Sequence, residues 1–294
     1  MQWTPDWGLR ARMAVTMFLL FALYIVFAGS ITAYTGGGPL FFVVLFGGFS
    51  LVQYYFSDTL TLKSMGAKTV SAEEYPELHR SIERLSQQAD LPKPTVAVVD
   101  EDVPNAFATG RNQSNAAVAV TTGLLRTLDR DELDGVIAHE LAHVKNRDMM
   151  VMTFASLLAT IAFMFVRWGA FFGGRGRGGG RGGGGIMVAI LISLVVWIIS
   201  YLLMRALSRY REYAADRGAA AITGNPAALA AALRSISDGV EKIPDRDLRD
   251  EAEMNAFFII PLKSGIVGKL FATHPPTEKR IEQLRQLDLE MERA

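Results

Sequence analysis

Four long apolar segments without a charged residue constrain the fold of this chain more than any other feature. They are 17 to 21 residues long and cover residues 13–33, 40–56, 149–166 and 186–204. A transmembrane helix needs roughly 17–25 apolar residues, so each segment is long enough to cross a bilayer. One such segment could be a buried core helix, and the first could be a signal peptide, but four together favour two transmembrane hairpins.

The apolar segments divide the chain into four parts. Residues 1–56 and 149–207 form the predicted transmembrane hairpins, and the second hairpin contains a glycine- and arginine-rich linker at 173–185. Such low-complexity linkers are flexible rather than folded. Residues 57–148 and 208–294 contain most of the charged residues, and we expect them to form the two halves of one domain.

Basic residues beside the apolar segments predict the orientation of the chain in a cell membrane. Arg10 and Arg12 precede the first segment, and Arg205 and Arg209 follow the last. Because positive residues favour the cytoplasmic side, both termini and the soluble halves are expected there. The linker at 173–185 also carries three arginines and would lie outside, which argues against this orientation.

Composition excludes several classes of site and partner. The chain has no cysteine, so disulfides and cysteine-ligated metal or iron–sulfur sites are absent, and any metal must bind histidines and carboxylates. It has 30 basic and 30 acidic residues, and this balance argues against nucleic acid as a partner.

Residues 139–143 read HELAH, a match to the H-E-x-x-H pattern. On a helix, residues four apart lie on one face, so His139 and His143 can bind the same metal ion. Glu140 is then placed to act as a general base on a metal-bound water, which is the chemistry of peptide hydrolysis by zinc. The motif therefore predicts a zinc peptidase.

The residues around this motif predict the helix that it requires. Asp129 and Glu132 have the spacing of a capping box, and the helix is expected to continue to about Arg147. Its apolar stripe consists of Leu133, Val136, Ile137, Leu141 and Val144. The two histidines project to one side of this stripe, whereas histidines of an ordinary core would lie on it.

A catalytic zinc site needs a third protein ligand besides the two histidines. No proline or glycine interrupts residues 205–217, so the fourth apolar segment is expected to continue as a helix beyond the membrane. Glu212 and Asp216 are four residues apart on this helix. One carboxylate can bind zinc while the other hydrogen-bonds a ligand histidine, although both could instead belong to a solvated face.

The soluble halves are predicted to form an α+β fold. Strands are expected at 95–99 and 116–121, and residues 104–110 are expected to form a loop or an irregular strand. Helices are expected at about 73–89, from Pro226 and from about Thr277. A few strands would therefore pack beside the metal-binding helix.

Together the motifs resemble the HtpX-like membrane zinc metalloproteases, which are related to the CAAX prenyl endopeptidases. Four segments carry the resemblance: HELAHVKNRD at 139–148, RYREYAAD at 209–216, PNAFATG at 104–110 and THPPTEKRI at 273–281. The resemblance covers essentially the whole chain, including the number and position of the apolar segments. It implies a zincin-like metalloprotease domain fused to four transmembrane helices and one Zn²⁺ per chain.

The resemblance also implies roles for individual residues. Glu212 is the third zinc ligand, and Asp216 supports a ligand histidine. Beside these roles, we expect His274 to stabilise the oxyanion of the transition state, because the chain has few other histidines. Asn105 is expected to contact the substrate backbone. The strand at 116–120 could bind an extended substrate by strand addition, or could be an ordinary core strand.

The expected function is membrane-embedded zinc endopeptidase. Since both ligand segments adjoin apolar segments, the site should lie at the cytoplasmic membrane face, next to the lipid bilayer, with membrane or misfolded proteins as substrates. The resemblance implies a role in membrane-protein quality control. Two alternatives are a prenyl-protein-processing peptidase, which would have more spans, and a non-catalytic zinc-binding scaffold, which would not need Glu140.

Overall fold

The computed structural model of the chain describes residues 7–8, 11–20, 22–23, 48, 55–152, 183–242 and 275–293. Most of the first three apolar segments, together with residues 173–182 of the linker, lies outside the described residues. Contacts between the described residues separate them into two units. The first unit comprises described residues within 56–149 and 209–294, and the second comprises those within 7–55 and 150–208.

The described residues of the first unit form a four-stranded sheet, seven α-helices or parts of α-helices, and a short 3₁₀ helix at Gln113–Asn115. Helices α1 to α4 are Ser57–Ser64, Pro76–Gln88, Thr122–Thr127 and Arg130–Lys145. Strands β1 to β4 are Lys68–Thr69, Thr95–Val99, Ala106–Gly110 and Ala116–Thr121. Helices α5 to α7 are Gly183–Thr223, Pro226–Lys242 and Thr277–Glu292, and α5 contributes its part from Arg209 onward. The mixed α+β fold is therefore confirmed.

Strand β4 lies inside the sheet, whose order is β1-β2-β4-β3. It pairs in parallel with β2 and antiparallel with β3, and all six of its residues are buried. Both of its edges are therefore occupied by neighbouring strands. The hypothesis that residues 116–120 bind substrate by strand addition is wrong, and among the described strands β3 is the edge strand on that side of the sheet.

Both faces of the sheet are covered, which explains why β4 reads as an apolar run instead of an alternating pattern. On one face, Val118 and Val120 join the main core with residues of α2, α4 and α6. On the other face, Phe107 and Ala119 form a smaller cluster with Met65, and Leu62 of α1 packs against it.

Helix α4 begins with the predicted capping box. The Asp129 side chain accepts the Glu132 N–H at 2.9 Å, and the Glu132 side chain accepts the Asp129 N–H at 3.2 Å. Every residue from Gly135 to Val144 is buried. This part of the helix is therefore covered by other elements on the side of the histidines as well as on the apolar stripe. The histidines lie in a buried environment of charged partners.

The later helices also follow local signals in the sequence. Helix α5 continues without interruption through the predicted segment to Thr223. Helix α6 begins at Pro226 as predicted, and the Asn225 side chain caps it by accepting the Ala228 N–H at 3.1 Å. Helix α7 begins at Thr277 as predicted; its Ile281 and Leu284 are buried, and Arg280 beside them is also buried. These helices bring the second soluble segment against α4.

The second unit includes residues 11–20 and the first part of α5. Leu20 and Leu207 form a small buried cluster there, against which Met13 and Met204 pack. Other large apolar side chains of α5 are exposed, including Leu191 at 53% and Leu202 at 57%. Within the parts of the chain that the structure describes, no helix has both the length and the apolar character needed to span a membrane.

Candidate metal centre

Two helices bring the predicted ligands together. His139 and His143 lie one turn apart on α4, and Glu212 lies on α5. One ligand atom from each of the three residues can be chosen so that all lie within 4.8 Å of one another, and all three residues are buried. The Nε2 atoms of the two histidines face each other at 3.2 Å. Glu212 places its oxygens 3.5 Å from His139 Nε2 and 3.6 Å from His143 Nε2. Two imidazoles and a carboxylate are ligands that suit zinc.

Asp216 contacts His139 on the side of the ring away from His143. Its Oδ1 atom lies 3.0 Å from His139 Nδ1. Arg280 of α7 donates two hydrogen bonds to Asp216, from Nε at 2.9 Å and from Nη2 at 2.7 Å. Such bidentate pairs restrict the carboxylate in both position and orientation. The predicted support of a ligand histidine by Asp216 is thus consistent with this geometry.

Asp148 makes the corresponding contact with the other histidine. Its Oδ2 atom lies 2.6 Å from His143 Nδ1, and Arg211 Nε lies 3.2 Å from the same oxygen. Asp148 is fully buried. Each histidine of the centre therefore has a carboxylate at Nδ1, which leaves Nε2 as the atom directed at the shared ligand position.

Glu140 is oriented by the edge strand of the sheet. Its Oε2 atom accepts the backbone N–H of Ala108 in β3 at 2.8 Å. Successive residues of an antiparallel strand direct their backbone N–H groups alternately toward the partner strand and away from it. Ala108 lies between Phe107 and Thr109 in this alternation, and its N–H points away from β4. Glu140 is 6% exposed, and it is the only charged residue in the sequence between His139 and His143. The hydrogen bond holds one carboxylate oxygen and leaves the other available for proton transfer.

The charge balance of the described residues fits a divalent cation. Four buried carboxylates belong to this centre: Glu140, Asp148, Glu212 and Asp216. The guanidinium groups of Arg211 and Arg280 pair with Asp148 and Asp216. The Arg280 guanidinium also lies 3.5 Å from Glu212 Oε2. If both histidines are neutral, the four carboxylates and two guanidinium groups together carry a net charge of −2. A zinc ion between the three ligands would supply the missing charge.

Without a metal, protonation of His139 supplies part of this charge. Burial favours the neutral ring, but hydrogen bonds to Asp216 and Glu212 outweigh burial and raise the pKa of His139 to about 9. Burial likewise opposes ionisation of Asp216, whereas the charge of Arg280 lowers the pKa of this carboxyl group. Because metal ions bind neutral imidazole, a metal entering the centre must displace the His139 proton.

The remaining site predictions have different outcomes. His274 lies outside the described residues, so its expected role stays a prediction. Asn105 is fully buried, and its backbone N–H and carbonyl both bond to Thr121. Contact of Asn105 with substrate also stays a prediction. Its backbone bonds to Thr121 help to anchor the start of β3.

Sequence reasoning assigned no role to Asp148 or Arg280, although both lie in segments that were recognised. Arg280 is four residues before Leu284 and adjoins Ile281, so it occupies the apolar face of α7. A charged residue on such a face is a signal of a buried ionic partner. Asp148 directly precedes an apolar segment, but its partner on α4 could not be identified from that position alone.

A small mixed sheet beside a helix that carries both histidines and the intervening glutamate is the arrangement of zincin-like metalloproteases.

The model of peptidase family M48 matches residues 72–288. Two known proteins are similar in sequence over nearly the full length of the chain. Protease HtpX homolog 2 of Methanosarcina mazei is 53% identical over 291 residues, which cover 99% of both chains. Protease HtpX homolog of Moorella thermoacetica is 54% identical over 297 residues, which cover 98% of this chain and 97% of the relative.

The chain belongs to peptidase family M48, among its HtpX-type zinc metalloproteases. The crystal structure of S. mikatae Ste24p is similar with a TM-score of 0.54 and 18% identity, covering 94% of this chain and 66% of that chain. At this identity the likeness supports the fold alone. The prediction of a metalloprotease, which hydrolyses peptide bonds, is confirmed.

Proposed function

We propose that this metalloprotease is a membrane-embedded endopeptidase that binds one zinc ion through His139, His143 and Glu212. The observation that carries the proposal is the convergence of three buried ligand atoms within 4.8 Å of one another. When bound, zinc acts as a Lewis acid that activates water and polarises the scissile carbonyl. The residues of the chain position these ligands and move the protons.

Glu140 is the proposed general base. It takes a proton from the attacking water and passes it to the amine that leaves. The hydrogen bond from Ala108 holds the Glu140 carboxylate against β3, so the base has a defined orientation before substrate binds. His274 is the proposed donor to the oxyanion of the transition state. Asp216 holds the ring of His139 through the contact at Nδ1.

Strand β3 is the proposed docking strand for an extended substrate. It is an edge strand of the sheet that the described residues form, and the Ala108 N–H on its outer edge reaches the general base. A peptide that paired with this edge would therefore pass next to Glu140. Asn105 precedes β3, and through its bonds to Thr121 it would position the strand that receives the substrate.

The apolar segments are proposed to anchor the enzyme as two transmembrane hairpins, 1–56 and 149–207. Residues 57–148 and 208–294 would form the two halves of the protease domain on the cytoplasmic side. The exposed Leu191, Val195 and Leu202 of α5 support contact with lipid, because water disfavours such a row of apolar side chains. Membrane and misfolded proteins are the proposed substrates, in membrane-protein quality control.

The orientation can be tested by single-cysteine labelling, since the natural chain has no cysteine. A cysteine placed in the linker at 173–185 should react with a membrane-impermeant maleimide in intact cells. A cysteine at the exposed position Glu77 should react only after lysis. The reverse pattern would contradict the proposed orientation.

The endopeptidase activity can be tested by removing and restoring the metal. The detergent-purified chain is expected to cleave an unfolded test protein at internal sites, to lose this activity in a chelator, and to regain it with about one zinc per chain. Mass spectrometry of the products identifies the cleaved bonds. Release of terminal residues alone would contradict the endopeptidase assignment, and activity that survives complete zinc removal would contradict the metal centre.

A further inference from the structure

Asp148 is fully buried and lies directly before an apolar segment, where an ionised side chain is unfavourable. Its Oδ2 atom contacts His143 Nδ1 at 2.6 Å and Arg211 Nε at 3.2 Å. Among the described residues, its Oδ1 atom is buried and has no hydrogen-bond partner. Burying a carboxylate with one oxygen unpaired costs free energy. The fold nevertheless places Asp148 here, in contact with His143, and this placement needs an explanation.

The backbone makes an unusual turn immediately before Asp148. Arg147 has a φ of 57°, in the left-handed backbone region that residues other than Gly, Asn and Asp rarely adopt. The turn follows the end of α4 at Lys145, and the Arg147 N–H bonds to the Val144 carbonyl at 3.1 Å. Strained backbone of this kind persists only where the surrounding structure maintains it.

The turn is what allows Asp148 to reach His143. On an uninterrupted helix, a residue five positions later would lie about 140° around the axis from the histidine. The left-handed residue changes the direction of the chain, and the Asp148 carboxylate returns to the His143 ring. Arg211 then balances the charge of this carboxylate, and it directly precedes Glu212 on α5.

The contact selects one form of the imidazole. When Nδ1–H donates to Asp148, the lone pair of His143 is on Nε2, which faces His139 Nε2 at 3.2 Å and a Glu212 oxygen at 3.6 Å. Carboxylates that receive the second ring N–H of a ligand histidine fix its tautomer and orientation. Asp148 is thus placed to control the direction in which His143 offers its ligand atom.

We propose that Asp148 is a positioning residue for the metal centre and that the left-handed turn at Arg147 directs it to His143. The inference rests on the proposed function in one respect, namely that His143 binds zinc. With Asp216 at His139, each histidine has its own carboxylate, contributed by a different segment of the chain. Zinc affinity then depends on the backbone between α4 and the apolar segment.

The first test measures zinc affinity of the detergent-purified full chain by competition with a chelator. Asp148→Ala should weaken zinc binding by about 10–100-fold, the usual effect of losing a carboxylate behind a ligand histidine. Asp148→Asn should weaken it less, because the amide oxygen still accepts the Nδ1–H. Thermal unfolding of the metal-free proteins verifies that each variant is folded, and Asp148→Asn serves if the alanine variant is not.

A matched pair at Arg147, which is exposed, tests the turn itself. Glycine adopts positive φ without strain, so Arg147→Gly should keep the affinity of the natural protein. A β-branched residue disfavours this conformation, so Arg147→Val should open the turn and weaken zinc binding although Asp148 is unchanged. Equal affinity in folded Arg147→Gly and Arg147→Val proteins would overturn the role of the turn.

A second readout does not depend on zinc or proteolysis. The chain has four histidines, so ¹⁵N spectra of metal-free protein labelled at histidine can resolve the His143 ring. We expect the Nδ1–H form in the natural protein and its loss in Asp148→Ala. Unchanged tautomer and zinc affinity in folded Asp148→Ala, or unchanged zinc affinity in folded Asp148→Asn, would overturn the positioning role while leaving the peptidase intact. Weakened zinc binding without proteolysis by the natural protein would instead overturn the proposed function and retain the positioning role.

Discussion

Replacing Glu140 with glutamine is expected to abolish proteolysis while the protein keeps its zinc. Glutamine has nearly the same shape, and its amide oxygen can still accept the Ala108 N–H that the carboxylate accepts at 2.8 Å. It cannot take up a proton, and general base catalysis typically contributes about 10²–10⁴-fold to a rate. Because Glu140 is not one of the three converging ligands, the metal content should remain at about one zinc per chain.

The measurement pairs elemental analysis of bound zinc with cleavage of an unfolded protein by the detergent-purified variants. Glu132→Gln is the matched control, since Glu132 lies on the same helix but serves its capping box. It should retain activity. Cleavage by Glu140→Gln at the natural rate, with full zinc occupancy, would exclude Glu140 as the base. Zinc in both proteins without cleavage by either would favour the non-catalytic scaffold.

Replacing Glu212 with alanine is expected to remove zinc from a protein that still folds. Among the described residues, Glu212 is the only carboxylate whose two oxygens lie near both histidine Nε2 atoms, at 3.5 and 3.6 Å, and the substitution deletes it. Two neutral imidazoles alone form an incomplete ligand set for zinc, and the charge that compensates the ion is reduced. Zinc content should therefore fall from about one ion per chain to near zero, and proteolysis should disappear with it.

The control for this variant is Arg217→Ala, which changes an exposed residue on the same helix. Circular dichroism and thermal unfolding of metal-free proteins separate loss of the ligand from loss of the fold. Stoichiometric zinc in folded Glu212→Ala would contradict the assignment and would direct attention to Asp216. Unlike Asp148→Ala, which should weaken binding at the metal centre, Glu212→Ala should not recover normal occupancy when zinc is added in moderate excess.

Local features of the sequence were enough to predict the elements of the domain. The capping box of Asp129 and Glu132 marked the start of α4, and the structure confirms both of its hydrogen bonds. The two main strands at 95–99 and 116–121 were predicted with their observed bounds. These features depend on residues within a few positions of one another, so the sequence expresses them directly.

The order of the strands could not be read in the same way. Residues 116–121 formed a clear apolar strand in the sequence, but its pairing with both β2 and β3 depends on segments that come earlier in the chain. The pattern could not distinguish an interior strand from an edge strand. This is why the substrate-binding hypothesis was placed on β4, whereas the Ala108 N–H that reaches Glu140 belongs to β3.

For the metal centre, the sequence by itself determined the ligand types. Helical spacing put His139 and His143 on one face and put Glu212 and Asp216 one turn apart, because these relations follow from the period of a helix. Only the tertiary structure decided which groups surround them. Asp148 reaches His143 through a left-handed turn, and Arg280 reaches Asp216 from 64 residues away. These contacts balance charge in a buried space, and that space exists only when distant segments have packed together.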